Sequence, residues 1–147
     1  KAAPGLLYRE DLLRLVFKID EVAEFAVSVS RLMLRLAITG WIPEGSLAEG
    51  IRMLSGEVLL TYESLRDAIM ALPMNPTRVV EHVSRVHEQE SKVDELYHDL
   101  DFRALTEVKQ VERLLIYRDL LALMEHGTDI IKVASDDLRV LALHRVA

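Results

Sequence analysis

Apolar residues recur every three or four positions along most of this chain, the spacing of one helix face. The clearest run occupies 79, 83, 86, 90, 93, 97 and 100, filled by Val, Val, Val, Glu, Val, Tyr and Leu. A second face is sketched by Leu114, Tyr117, Leu121, Met124, Thr128, Ile131 and Leu138. β-Branched residues do not gather into alternating runs, so the pattern predicts helices rather than strands. The breakers then set the boundaries. Pro4-Gly5 precedes a helix over about Tyr8–Thr39, which Gly40 is placed to end and Pro43 keeps from continuing. Ser46 and Glu49 have capping-box spacing, so a second helix is expected from there to about Leu72, weakened at Gly56. Pro73-Met74-Asn75-Pro76 is the clearest turn. A third helix is expected over Thr77–Leu100, a break at Asp101–Thr106, and a last helix ending near Arg145. The first and last helices would be about 45–60 Å long, which suits a slender antiparallel bundle. The expected fold is all-α, an antiparallel bundle of four long helices.

Composition supports this picture and removes several function classes. With 147 residues, the chain suffices for one domain with a sizeable core. Half of the residues are hydrophobic and only 5% are aromatic, which leaves apolar surface available for a partner. The longest stretch without a charged side chain, Ala68–Thr77, holds two prolines, so no bilayer-spanning helix is expected. Net charge is −6, with no basic stripe, so nucleic acid is an unfavourable partner. Cysteine is absent, which removes disulfides, thiolate metal sites and Cys nucleophiles and fits a cytoplasmic protein. No signal peptide is visible, and a first residue of Lys1 suggests a piece of a longer chain. Glu10-Asp11-Leu12-Leu13-Arg14-Leu15 echoes Arg118-Asp119-Leu120-Leu121-Ala122-Leu123, a weak hint of two related helical units.

Acidic pairs one helical turn apart are the candidate chemistry. Glu90 takes a seam position where Val or Leu is expected, and Asp94 follows at i+4. His87 and His98 extend the pair into one polar stripe along the core edge. Glu125 and Asp129 repeat the spacing on the last helix, with Gly127 between them leaving room for another helix or an ion. Asp20 and Glu24 repeat it on the first, beside Val16, Ile19, Ala23 and Val27. Like charges at i,i+4 cost a helix a few tenths of a kcal/mol, and gathering pairs near a core costs more unless they are neutralised. Lys or Arg, protons, or a metal ion could do so. Carboxylates suit hard cations such as Mg²⁺, Ca²⁺, Mn²⁺ and iron. The plain alternative is a solvated face, because 24 acidic residues produce such pairs by chance. His87 and His98 then read as surface or hydrogen-bonded histidines, Asp136-Asp137 as a solvated face, and Trp41 as a loop anchor.

Val86-His87-Glu88-Gln89-Glu90-Ser91-Lys92-Val93-Asp94-Glu95-Leu96-Tyr97 resembles the ExxAD helix of PhoU-like phosphate-transport regulators. Arg118-Asp119-Leu120-Leu121 to Glu125-His126-Gly127-Thr128-Asp129 resembles the ExxxD helix that follows it in that family. Arg9-Glu10-Asp11-Leu12-Leu13 to Asp20-Glu21-Val22-Ala23-Glu24 resembles the equivalent helix of a preceding unit, with Val16 where a Glu would stand. The nearest branch is the small one associated with Pit-type permeases; residues 40–76 match only in helical character. The resemblance implies three-helix units, with 1–40 the last helix of a preceding unit and 44–147 a unit of its own. It implies a divalent or trivalent metal ion (iron, Zn, Mn or Mg) at Glu90, Asp94, Glu125 and Asp129, and more weakly at Asp20 and Glu24. It further implies a non-enzymatic regulator of phosphate uptake that forms homo-oligomers. Its partner would be a phosphate permease or another regulatory protein, with membrane contact only through that partner. A metal-carboxylate enzyme is the rival reading, but the Glu-x-x-His pairs of di-iron bundles are absent: Val93 and Thr128 stand three after Glu90 and Glu125. A metal-free helical interaction module is the other rival.

Overall fold

A computed structural model describes the backbone of residues 4–146 and the side chains of residues 9–144. Four helices follow in order: α1 (Pro4–Thr39), α2 (Gly45–Ala71), α3 (Pro76–Glu107) and α4 (Val111–Val146). No strand occurs among the described residues. The all-α bundle expected from the apolar spacing is the architecture observed. α2, α3 and α4 all pack against one another, whereas among the described residues α1 lies against α4 alone.

The helix ends follow the local sequence. Gly40 adopts φ 68°, which lets Trp41 N–H donate to Leu36 O (2.9 Å) and Gly40 N–H to Ala37 O (3.3 Å). This pair of bonds caps the free carbonyls of α1. Trp41 is then clamped as a loop anchor. Tyr117 Oη donates to its carbonyl at 2.8 Å, and the Arg113 guanidinium lies 5.8 Å from its ring centre. Asn75 caps α3 by accepting from Arg78 N–H, with Pro76 in the first turn. Two expectations need correction. The capping box at Ser46 does not form: α2 begins at Gly45, Ser46 Oγ donates to Glu107 (2.9 Å), and Glu49 pairs with Arg52. The break expected at Asp101–Thr106 falls later, at Val108–Gln110. Leu100 and Ala104 extend the buried seam by another turn, and Leu100 packs onto Gly50 of α2, where no side chain intervenes.

The buried residues form two apolar clusters. One gathers Leu15 and Val22 of α1, Leu65 and Ala68 of α2, Val79, Val83 and Val86 of α3, and Ile131, Leu138 and Leu141 of α4. The other gathers Leu36, Leu47, Ile51, Leu54, Val93, Leu100, Tyr117, Leu120, Leu121 and Met124. Every helix crosses from one cluster to the other, and three of them carry a buried polar residue at the crossing. These are Thr61 on α2, Glu90 on α3 and Thr128 on α4. Both threonine hydroxyls donate to their own helix, Thr61 to Glu57 O and Thr128 to Glu125 O, each at 2.8 Å. Glu90 has no such local partner.

α1 departs most from its sequence reading. Its buried face is Leu15, Val22 and Leu36, whereas Val16, Ile19, Ala23 and Val27 are exposed. The helix has two apolar faces, and α4 covers only one of them. The Leu12-Leu13 echo of Leu120-Leu121 therefore has opposite burial: the first pair is exposed and the second is core. Near its start α1 is tied to α4 by charge, with Arg14 pairing with Asp11 and lying 3.4 Å from Asp137. Asp136 and Asp137 are thus half-buried and engaged, not a solvated face. Burial raises the pKa of Asp137.

Candidate functional site

α3 and α4 run antiparallel, and their polar stripes meet edge to edge. His87, Glu90, Asp94 and His98 lie on α3; Glu125, Asp129, Lys132 and Asp136 lie on α4. At one end His87 Nε2 donates to Asp136 Oδ1 at 3.0 Å. One turn along, Lys132 Nζ lies 2.9 Å from Glu90 Oε1. Beyond that, Asp94 stands by Asp129 and Glu125, with His98 facing the same acidic group. The four carboxylates that the acidic-pair spacing singled out, Glu90, Asp94, Glu125 and Asp129, thus come together at the polar layer between the two apolar clusters.

Their environments differ. Glu90 is only 4% exposed, sits between Val86 and Val93, and is neutralised by Lys132. Its oxygen holds the lysine charge in turn, so the pKa of Lys132 rises through that hydrogen bond. Among the described residues, Asp94 has no such partner. Its pKa is raised first by burial and then by the charges of Glu90 and Asp129, which Lys132 and His98 only partly offset. Glu125 is raised for the same reasons, burial first, then Asp129 and Asp94, with His126 and His98 opposing. Of the three neutralising agents open to the sequence, this arrangement uses a lysine at Glu90 and leaves Asp94 and Glu125 with raised pKa values.

A pH-dependent prediction follows. A carboxyl whose pKa is higher in the folded than in the unfolded chain contributes stability below the ordinary carboxylate range. That contribution is lost as pH rises through the raised folded value. At neutral pH, Asp94 and Glu125 therefore weaken the fold. Asp94→Asn is expected to gain about 0.5–1 kcal/mol at pH 7, the scale of relieving one half-exposed like-charge contact. That is about 2–3 °C in Tm for a chain of this size. The gain should fade as pH falls through and below the ordinary carboxylate range, where the carboxyl is protonated in both the folded and the unfolded chain. Thermal melts of parent and variant across this range check it.

Asp20 and Glu24 do not join the group. Both are exposed on α1, and neither is among the charges that shift Asp94 or Glu125. Gly127 does admit a neighbour, and that neighbour is a helix: the ring of Phe25 on α1 lies directly over it. His87 is a hydrogen-bonded histidine. Lys132 is the member of this group that the acidic pattern does not single out. Its signal is there, because 125, 129, 132 and 136 share one helical stripe and Lys132 is the only cation on it.

No protein-family model, no curated protein and no solved structure matches the chain. Among the described residues, no helix is long and apolar enough to cross a membrane.

Proposed function

We propose that this chain is a non-catalytic regulatory protein of the PhoU-like kind. It acts on phosphate uptake by binding a permease or another regulatory protein. One observation carries the reading: the helix that resembles the ExxAD element and the helix that resembles its successor pack side by side. Their acidic pairs, Glu90/Asp94 and Glu125/Asp129, meet at one level of the bundle.

The metal part of that reading meets an obstacle in this arrangement. Glu90 is committed to Lys132, and among the described residues no group of three or more Asp, Glu, His or Cys side chains is placed to hold a metal ion. As folded, these residues do not fit a preformed cation site; the lysine ammonium stands where a cation would be needed. That ion pair favours the second reading, an interaction module whose acidic layer is neutralised from within.

Two experiments separate these readings. Co-purification with a phosphate permease, together with altered phosphate uptake on deletion, supports regulation. No capture and unchanged uptake would sink it. Melts with Mn²⁺, Fe³⁺ or Zn²⁺ address the metal. A rise in Tm that Asp94→Asn and Asp129→Asn abolish supports a carboxylate-bound ion, and an unmoved Tm supports the internally neutralised module.

A further inference from the structure

The acidic layer disagrees with the metal site that the resemblance implies, and the disagreement centres on Lys132. This residue stands three positions after Asp129 and seven after Glu125, on the helical stripe those carboxylates share. From α4 its ammonium reaches across to α3, 2.9 Å from Glu90 Oε1. Asp129 and Asp94 attract the same ammonium, so it lies in the field of three of the four implied ligands. Glu90 is the buried one of the four; Asp94, Glu125 and Asp129 are half-buried. The innermost carboxylate is therefore the one that the lysine has taken.

We infer that Lys132 is the resident cation of this layer and excludes divalent metal ions from it. A hard dication needs several oxygen ligands at once, each about 2.0–2.6 Å away. Glu90 cannot turn towards Asp94 and Asp129 while it holds the ammonium, and among the described residues no three such groups are placed to hold an ion. A dication beside the ammonium would also set like charges together in a poorly solvated layer, so it must first expel the lysine. The lysine resists expulsion because its own backbone tethers it. It stays beside Glu90 at a high effective concentration, an advantage that no free ion has. One side chain thus supplies the positive charge that the resemblance assigns to a metal, and it holds α3 to α4 whatever the metal supply. This inference rests on the acidic layer of the proposed function and not on its phosphate part. Failed capture of a permease leaves it standing, and a metal-binding parent overturns it without touching the regulatory reading.

Titration of the full 147-residue protein with Mn²⁺, read from the electron paramagnetic resonance signal of the free ion, tests this directly. Lys132→Met removes the ammonium, keeps most of the stem and frees Glu90. It is expected to bind Mn²⁺ at least about tenfold more tightly than the parent. Its Tm should rise with added Mn²⁺ while the parent's does not, because an ion bound only to the folded chain stabilises it. Lys132→Gln, neutral but still a hydrogen-bond donor to Glu90, repeats the comparison in a more stable background. Asp129→Asn/Lys132→Met should lose the gained affinity, which places the ion among these carboxylates. Parent and both Lys132 variants that titrate alike, whether all bind or none does, overturn the inference. So does a gain that survives Asp129→Asn, because the ion then lies elsewhere.

Discussion

Replacing Lys132 with Met is expected to cost this protein about 2–3 kcal/mol. Breaking a fully buried ion pair by removing one partner costs about 3–5 kcal/mol, because the remaining charge is stranded in an apolar setting. Here the lower part of that scale applies: Glu90 is buried, but Lys132 is about a third exposed, and water partly screens the pair. The loss should appear as a fall in Tm of about 5–10 °C. Two further charges enlarge it, because Lys132 also offsets Asp94 and Asp129. The companion variant decides whether the pair is a stabilising device or a specifying one. Glu90→Leu combined with Lys132→Met fills the polar layer with apolar side chains and joins the two core clusters. Its stability is expected to return to within about 1 kcal/mol of the parent, since apolar replacements of buried ion pairs are commonly neutral or better. A double variant as unstable as Lys132→Met alone would mean that the loss comes from packing around the lysine stem and not from the stranded carboxylate.

The residues that resist sequence reading are those with two structural options. α3 was legible almost whole, because Val79, Val83, Val86, Val93 and Leu100 share one seam and all are buried. Glu90 stood out for the same reason: an acid in an otherwise apolar seam must be neutralised by something, and the stripe across from it holds that something. Which agent does so depends on the register of α4 against α3, and spacing along one helix carries no information about register. Lys132 needed the packed pair to be seen. The first helix failed differently. It carries apolar residues around more than half of its circumference, so periodicity alone does not say which face meets the chain's own core. Leu15 and Val22 go inward while Val16 and Ile19 stay out, although the two sets are indistinguishable in composition. The end of α3 was misplaced because Asp101, Arg103 and Thr106 look like a polar break. In the fold Asp101 instead anchors Arg118 across to α4 at 2.6 Å, and Leu100 and Ala104 hold the helix in place.

Gly127 supplies the second large effect, and its sign runs against intrinsic preference. Glycine to alanine inside a helix ordinarily gains about 1 kcal/mol. Gly56, in the interior of α2 with nothing near the position of an added methyl, is expected to follow that rule. Gly127→Ala should do the opposite, because the new Cβ would collide with three ring carbons of Phe25. The ring is half-buried where α1 meets α4, so either it must turn away or α1 must shift on α4 to admit the methyl. Overpacking of this kind costs about 1–3 kcal/mol, which more than offsets the helix-propensity gain and leaves a net loss of about 1–2 kcal/mol. Gly127→Ala with Phe25→Ala separates the causes. If the clash is responsible, the double variant is less destabilised than the two single losses added together, a positive coupling of about 1 kcal/mol. Gly127 lies between Glu125 and Asp129, so a shift of α1 would bear directly on the helix that carries this acidic pair. Chemical denaturation of the four proteins measures the coupling. A Gly127→Ala variant as stable as Gly56→Ala would show that the Phe25 ring is not held over Gly127 by the packing of α1 on α4.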